Sequence, residues 1–141
     1  MRRLAALALW TVVALSPYGA TAEPPAPDGT WLVAERVAFD IFPCNEALCG
    51  RITWLRNPAL RTPQMCGRTI VWGLTSDGPS QWGGGWFFDP EDGATYNVSA
   101  HVDTVDRISA RIYRGIPMFG RTEILQRIPA HSLPGWCELS R

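Results

Sequence analysis

The chain has 141 residues, 46% hydrophobic and 18% charged, enough for one globular domain. Its 13 basic residues balance 13 acidic ones, so no overall basic field exists to hold nucleic acid. All of the basic residues are arginine, which excludes Schiff-base lysine chemistry and a Walker-type phosphate loop, while seven Trp, 13 Gly and 12 Pro favour strands and tight turns over a helical bundle.

The N-terminus reads as an export signal. Arg2 and Arg3 form a charged start, Leu4 to Leu15 an apolar stretch broken only by Thr11, and Ala20-Thr21-Ala22 a small-x-small cleavage pattern. The stretch is too short to span a bilayer comfortably and no second one follows, so no stable membrane anchor is expected after cleavage. A cut after Ala22 removes 22 of the 141 residues and two arginines, leaving 119 residues with a formal charge of −2. Residues 1–22 are thus the signal peptide, 23–28 a Pro-rich extended leader, and 29–141 a single domain. The predicted location is periplasmic or secreted.

All four cysteines lie beyond the cut, and an even count in an exported chain suggests disulfides. Three connectivities are open. Cys44 and Cys49 flank Asn45-Glu46-Ala47-Leu48, which has the look of a hairpin turn. That favours Cys44–Cys49 together with Cys66–Cys137. A zinc site is the competing reading, but C-x4-C with two isolated cysteines fits no common zinc pattern. Neither a metal nor another cofactor is expected.

From Gly29 onward the hydrophobic period is mostly two, as half-buried strands require. Strands are predicted near 29–35, 37–43, 49–55, 68–74, 82–88, 95–102, 106–113 and 119–128, with one irregular stretch at 56–67 that has room for a helical turn. Val37, Phe39 and Ile41 share one face of the second strand. Tyr96, Val98, Ala100 and Val102 oppose Asn97, Ser99, His101 and Asp103 in the sixth, and Ile108, Ala110 and Ile112 share a face of the seventh. Asn57-Pro58, Asp77-Gly78-Pro79, Asp92-Gly93 and Gly115-Ile116-Pro117 supply turn chemistry between runs. Eight sequential strands with short connections predict an all-β, up-and-down antiparallel sheet closed into a small barrel; a two-sheet sandwich is the alternative.

Trp82-Gly83-Gly84-Gly85-Trp86 is the loudest local motif. A phosphate-cradling glycine loop lies between a strand and a helix, whereas here more strand follows. The motif therefore predicts a bend or bulge in a barrel strand, with glycine making room for a neighbouring tryptophan. Asp89-Pro90-Glu91-Asp92-Gly93 reads as a hairpin turn rather than a calcium loop, because the acid–Gly pattern of an EF-hand does not continue. His101 falls on the polar face of its strand, far in sequence from His131. No G-x-S-x-G elbow occurs, and no free thiol remains once the disulfides form, so no catalytic constellation is assembled.

Taken in order, several segments resemble one bacterial family. They are Gly29-Thr30-Trp31; Cys44 with Cys49-Gly50-Arg51-Ile52 and Trp54-Leu55; Asn57-Pro58 followed by Leu60-Arg61; Cys66-Gly67; Trp82 with Gly84; Asp89 to Gly93 with Tyr96; and Phe119-Gly120-Arg121-Thr122. The series is similar to the family catalogued as domain of unknown function 2147 and runs over about 29–128. The resemblance implies an exported domain with a lipocalin-like (calycin) β-barrel. It further implies that Trp31, in a G-x-W motif, plugs the closed end of the barrel with Arg127 packed over its ring, a structural pair. Two departures stand out: Leu125 where the family usually has Trp, and Arg61 to Met65 in place of an Arg-Pro segment.

Three functions follow from these readings. The first is a barrel that binds a small apolar or amphipathic molecule without catalysis, lined by Trp54, Trp72, Trp86, Phe88, Tyr96 and Phe119; it requires a cavity of about 300 Å³ or more. The second is an envelope interaction protein acting through the barrel surface, for which clustered exposed aromatics would speak. The third is a small hydrolase using Asp89, Glu91 or Asp92 with Arg51 or Arg121.

Overall fold

A computed structural model of the protein describes residues 9–20 and 22–138. Arg2, Arg3, the start of the apolar N-terminal run and Thr21 lie outside the described residues. Residues 9–20 form no helix or strand, and no helix among the described residues is long and apolar enough to cross a membrane.

Eight strands follow in sequence: β1 Gly29–Val33, β2 Val37–Cys44, β3 Ala47–Leu55, β4 Thr69–Ser76, β5 Gln81–Phe88, β6 Thr95–Thr104, β7 Arg107–Tyr113 and β8 Arg121–Arg127. Each pairs antiparallel with the next, and β1 closes on β8 through Trp31↔Arg127, Leu32↔Gln126 and Val33↔Leu125. The up-and-down barrel thus removes every sheet edge. Within the irregular 56–68 connection a 3₁₀ turn spans Pro58–Leu60, capped by the Asn57 side chain, which accepts from the Ala59 amide.

The turns follow local backbone chemistry. Asn45 and Glu46 both take positive φ (46° and 64°) and form a two-residue hairpin loop, of the kind whose twist matches that of the flanking strands. The predicted four-residue turn is therefore shorter than expected, because Ala47 and Leu48 already pair in β3. Cys44 bonds Cys49 across this hairpin, and Cys66 bonds Cys137. The second bond ties the segment after β8 to the β3–β4 connection. Two disulfides mark a chain that matures in an oxidising compartment.

Strand curvature comes from bulges. One lies between Trp82 and Gly85, within the glycine run. The glycines make room differently from the sequence expectation: a Cβ on Gly85 would fall 2.6 Å from Leu74 Cγ, so the partner is an interior leucine rather than a tryptophan. A single buried cluster fills the barrel. Trp31, Ile52 and Ile70 are each 0% exposed within it.

Candidate functional site

The connections β1–β2, β3–β4, β5–β6 and β7–β8 gather at one end of the barrel, and the chain enters and leaves at the other. The second end is sealed. Trp31 lies fully buried there and its indole Nε1 donates to the Pro27 carbonyl at 2.7 Å. The Arg127 guanidinium sits 4.3 Å from the indole centroid. It also donates to three carbonyls, those of Val105 (2.6 Å), Asp28 (2.6 Å) and Ala26 (2.9 Å). A planar fork of five N–H donors suits this arrangement, and a lysine could not reproduce it. Gly29 is required beside the plug, since its φ is 130° and a Cβ would strike Arg127 Nη1.

Above the plug lies a chamber of about 50 Å³. Val33, Phe39 and Ile41 line it from β1 and β2, and Val71, Leu74 and Phe87 from β4 and β5. Alternating residues of β6 and β7, Val98, Ala100, Ile108, Ala110 and Ile112, complete the wall with Leu125 of β8. Glu123 is the one ionisable side chain in this lining among the described residues. The chamber is far below the about 300 Å³ of a typical small-molecule site, so the expectation of a roomy pocket is not met: side chains largely fill the interior.

Ion pairs cap the chamber at the mouth. Arg36, from the β1–β2 turn, pairs with Glu91 of the β5–β6 turn and lies 3.9 Å from Glu123. Arg121 bonds Glu123 at 3.0 Å and approaches Asp89 at 3.5 Å. Burial works against the Arg121 charge, but the hydrogen bond and charge of Glu123, with help from Tyr96 and Asp89, hold its pKa above the ordinary value. A crevice of about 20 Å³ runs between these groups and shares Val33, Phe87, Ile112 and Glu123 with the chamber below. Beside it Tyr96 donates to Asp92 at 2.5 Å, with Arg114 and Arg121 packed over its ring at 4.7 and 5.3 Å. The Tyr96 hydroxyl, then the Ala94 amide and the nearby arginines, lower the Asp92 pKa.

None of the six aromatics expected to line the interior borders the chamber, although Tyr96, in register with inward Phe87, packs against the core at the mouth. Trp72 (37% exposed) and Trp86 (44%) form a registered cross-strand pair on the outside of β4 and β5. Phe88 lies outside the chamber beneath the Arg68 guanidinium, 3.9 Å from its ring. Trp54 is buried on the outer side of β3, its Nε1 donating to the Pro134 carbonyl at 2.8 Å. Tyr96 stands at the mouth, and Phe119 is 77% exposed in the 3₁₀ turn Pro117–Phe119. The reason is strand phase. Phe87 and Val71 point inward, so their neighbours Trp86, Phe88 and Trp72 point outward. Both faces of β4 and β5 carry large apolar residues, which leaves the period without a phase. Glu123 was missed because a lone acid in Arg121-Thr122-Glu123 reads as a solvated strand end.

Of the hydrolase candidates, the fold brings Asp89 and Arg121 together and leaves Arg51 apart, 3.9 Å from Asp40 and over the Phe42 ring. Asp92 is shifted toward its carboxylate form, the wrong direction for a proton donor. No group of three His, Cys, Asp or Glu residues is placed to hold a metal among the described residues.

A closed eight-stranded antiparallel barrel, apolar within and plugged at one end by a Trp–Arg pair, is a lipocalin-like barrel. The chain belongs to a bacterial family described as an uncharacterized protein conserved in bacteria, domain of unknown function 2147, whose model matches residues 29–127. Among solved structures it is similar to protein HP1028 from the human pathogen Helicobacter pylori, described as belonging to the lipocalin family. The identity is 17%, the match covers 74% of this chain and 84% of that one, and the TM-score is 0.61, a likeness of fold. No curated protein sequence matches the chain.

Proposed function

We propose that this protein is an exported, non-catalytic binding barrel whose ligand inserts a small or slender apolar group into the chamber and keeps a polar head at the charged mouth. The observation that carries the reading is the polarity of the interior: a chamber lined by apolar side chains, sealed at one end and rimmed at the other by Arg36, Arg121, Asp89, Glu91 and Glu123. At about 50 Å³ the closed barrel falls short of the about 300 Å³ that enclosing a whole ligand requires, so a few heavy atoms enter and the rest of the ligand stays at the mouth. Larger groups require the Arg36 pairs to open, since that residue spans β1–β2, β5–β6 and β8. Export, to the periplasm or beyond, is supported by the disulfides and by the Arg2–Ala22 signal pattern.

The test is native mass spectrometry of protein purified from its own cell envelope. The expected result is a reproducible small-molecule adduct that disappears in Ala110→Leu, whose added side chain occupies the chamber. A clean apo mass, repeated under gentle conditions, would overturn the proposal and leave action through the barrel surface. Exposed Trp72 and Trp86, paired in register, favour that second reading.

A further inference from the structure

We infer that the β7–β8 turn docks the protein, reversibly and mouth first, on the surface of a phospholipid bilayer. The inference does not depend on the chamber holding a ligand. Its ground is three large apolar side chains on one turn: Ile116 is 50% exposed, Met118 77% and Phe119 77%. Among residues 29–138 only one other large apolar side chain is at least as exposed as Ile116, that of Val105 at the opposite end of the barrel. Farther from the mouth, on the outer face of β5 to β8, the surface turns polar, and Gln81, Ser99, His101 and Thr122 share one cleft.

The backbone holds the tip out. Gly115 takes a positive φ of 78°, Pro117 opens the 3₁₀ turn, and the Phe119 and Gly120 amides donate to the Ile116 and Pro117 carbonyls. Arg111 grips the turn from β7, donating to the Pro117 carbonyl at 2.8 Å and the Met118 carbonyl at 3.2 Å. At its foot a Cβ on Gly120 would strike the Ile112 carbonyl, so the chain is pressed against β7 there. No residue of the 3₁₀ turn is buried, and none of the three side chains belongs to the core cluster or to the half-buried shell packed on it. The turn therefore presents its apolar groups already ordered, which lowers the cost of burying them in a partner.

Shape and charge select a bilayer over a protein. A stable protein interface covers about 800 Å² on each partner with a complementary surface. One projecting turn beside charged side chains offers much less, whereas fluid hydrocarbon closes around such a tip. A strand partner is excluded, because the closed barrel has no free edge. Residues 107–122 carry Arg107, Arg111, Arg114 and Arg121 and no Asp or Glu. Arg114, next to the tip, lies over the Tyr96 ring at 4.7 Å and makes no ion pair among the described residues, which leaves its donors for a lipid phosphate. The adjacent β5–β6 turn brings Asp89, Glu91 and Asp92 to the same end, so the rim meets a zwitterionic headgroup with both signs. The three side chains carry about as much hydrocarbon as one acyl chain, which by itself binds a membrane only reversibly.

The experiment is co-sedimentation of protein purified from its own cell envelope with vesicles of equal parts phosphatidylethanolamine and phosphatidylcholine. Methionine-methyl NMR in the presence of acyl-chain nitroxide lipid accompanies it. The expected result is pelleting with the vesicles and broadening of the Met118 methyl signal. Met118→Ser combined with Phe119→Ser should weaken partition by about tenfold or more, because two apolar groups no longer leave water. Val105→Ser, which removes an exposed apolar group at the opposite end, should pellet as the parent does. A parent that stays in solution, a double variant that pellets like it, or an equal loss in Val105→Ser would overturn the inference. So would a dimer formed without lipid and abolished by the double variant, which would assign the tip to a second copy of the chain.

Discussion

At Gly85 an added methyl would lie 2.6 and 2.8 Å from the Leu74 side chain and 3.2 Å from its backbone nitrogen, so neither a rotamer change nor a small shift relieves it. Gly85→Ala should cost about 1–3 kcal/mol in urea denaturation, as overpacked interiors do, and an unchanged midpoint would contradict the packing described. Asp92 acts through charge instead. Its folded pKa is lowered, so its contribution is present above the ordinary 3.8 and is lost as pH falls through the lower folded value. Asp92→Asn should therefore melt below the parent at neutral pH, by a small and salt-sensitive margin, with the gap closing below pH 3.8. Equal melting temperatures at neutral pH would count against the Tyr96–Asp92 contact.

Among the elements, residues 128–138 after β8 form no strand and are held by specific ties. Cys137 bonds Cys66 across a separation of 71 residues, its amide donates to the Thr53 carbonyl at 2.8 Å, and the Pro134 carbonyl accepts from Trp54. Replacing both Cys66 and Cys137 with Ser should lower stability by about 4 kcal/mol on the chain-entropy model. It should also release the cover over Trp54 and shift tryptophan emission to the red. An unshifted spectrum would mean that packing alone holds the segment. The strands themselves were legible in the alternation. Runs such as Tyr96–Asp103 and Arg107–Tyr113 have one apolar and one polar face, so both the element and its inward side could be read. In β4 and β5 the element could be read and the side could not, because Val71 and Trp72, and Trp86 and Phe87, are large and apolar on both faces. The exact extent of the β2–β3 turn depended on two residues taking positive φ, which Asn invites and Glu46 does not advertise.

For the whole molecule, the barrel resolves into a sealed end, a small apolar chamber, a charged mouth and a polar outer face. Ala110→Leu separates folding from binding at this scale. The substitution adds three carbons to a chamber of about 50 Å³, so it should cost no more than about 1–3 kcal/mol, while the adduct sought by mass spectrometry should vanish. A large loss of stability would show the chamber to be tighter than about 50 Å³.

The strand-length runs of mostly two-residue period, the turn residues between them, the even set of cysteines and the G-x-W segment determined by themselves an all-β barrel of a recognisable family, because composition and period are local properties of a chain. Only the tertiary structure decided which tryptophans face solvent, that Arg36, Asp89, Arg121 and Glu123 meet from three separate elements, and that Gln81, Ser99, His101 and Thr122 share one cleft. Those facts depend on closure and register. Closure brings β1 beside β8, and a shift of one residue in any strand exchanges its inner and outer faces.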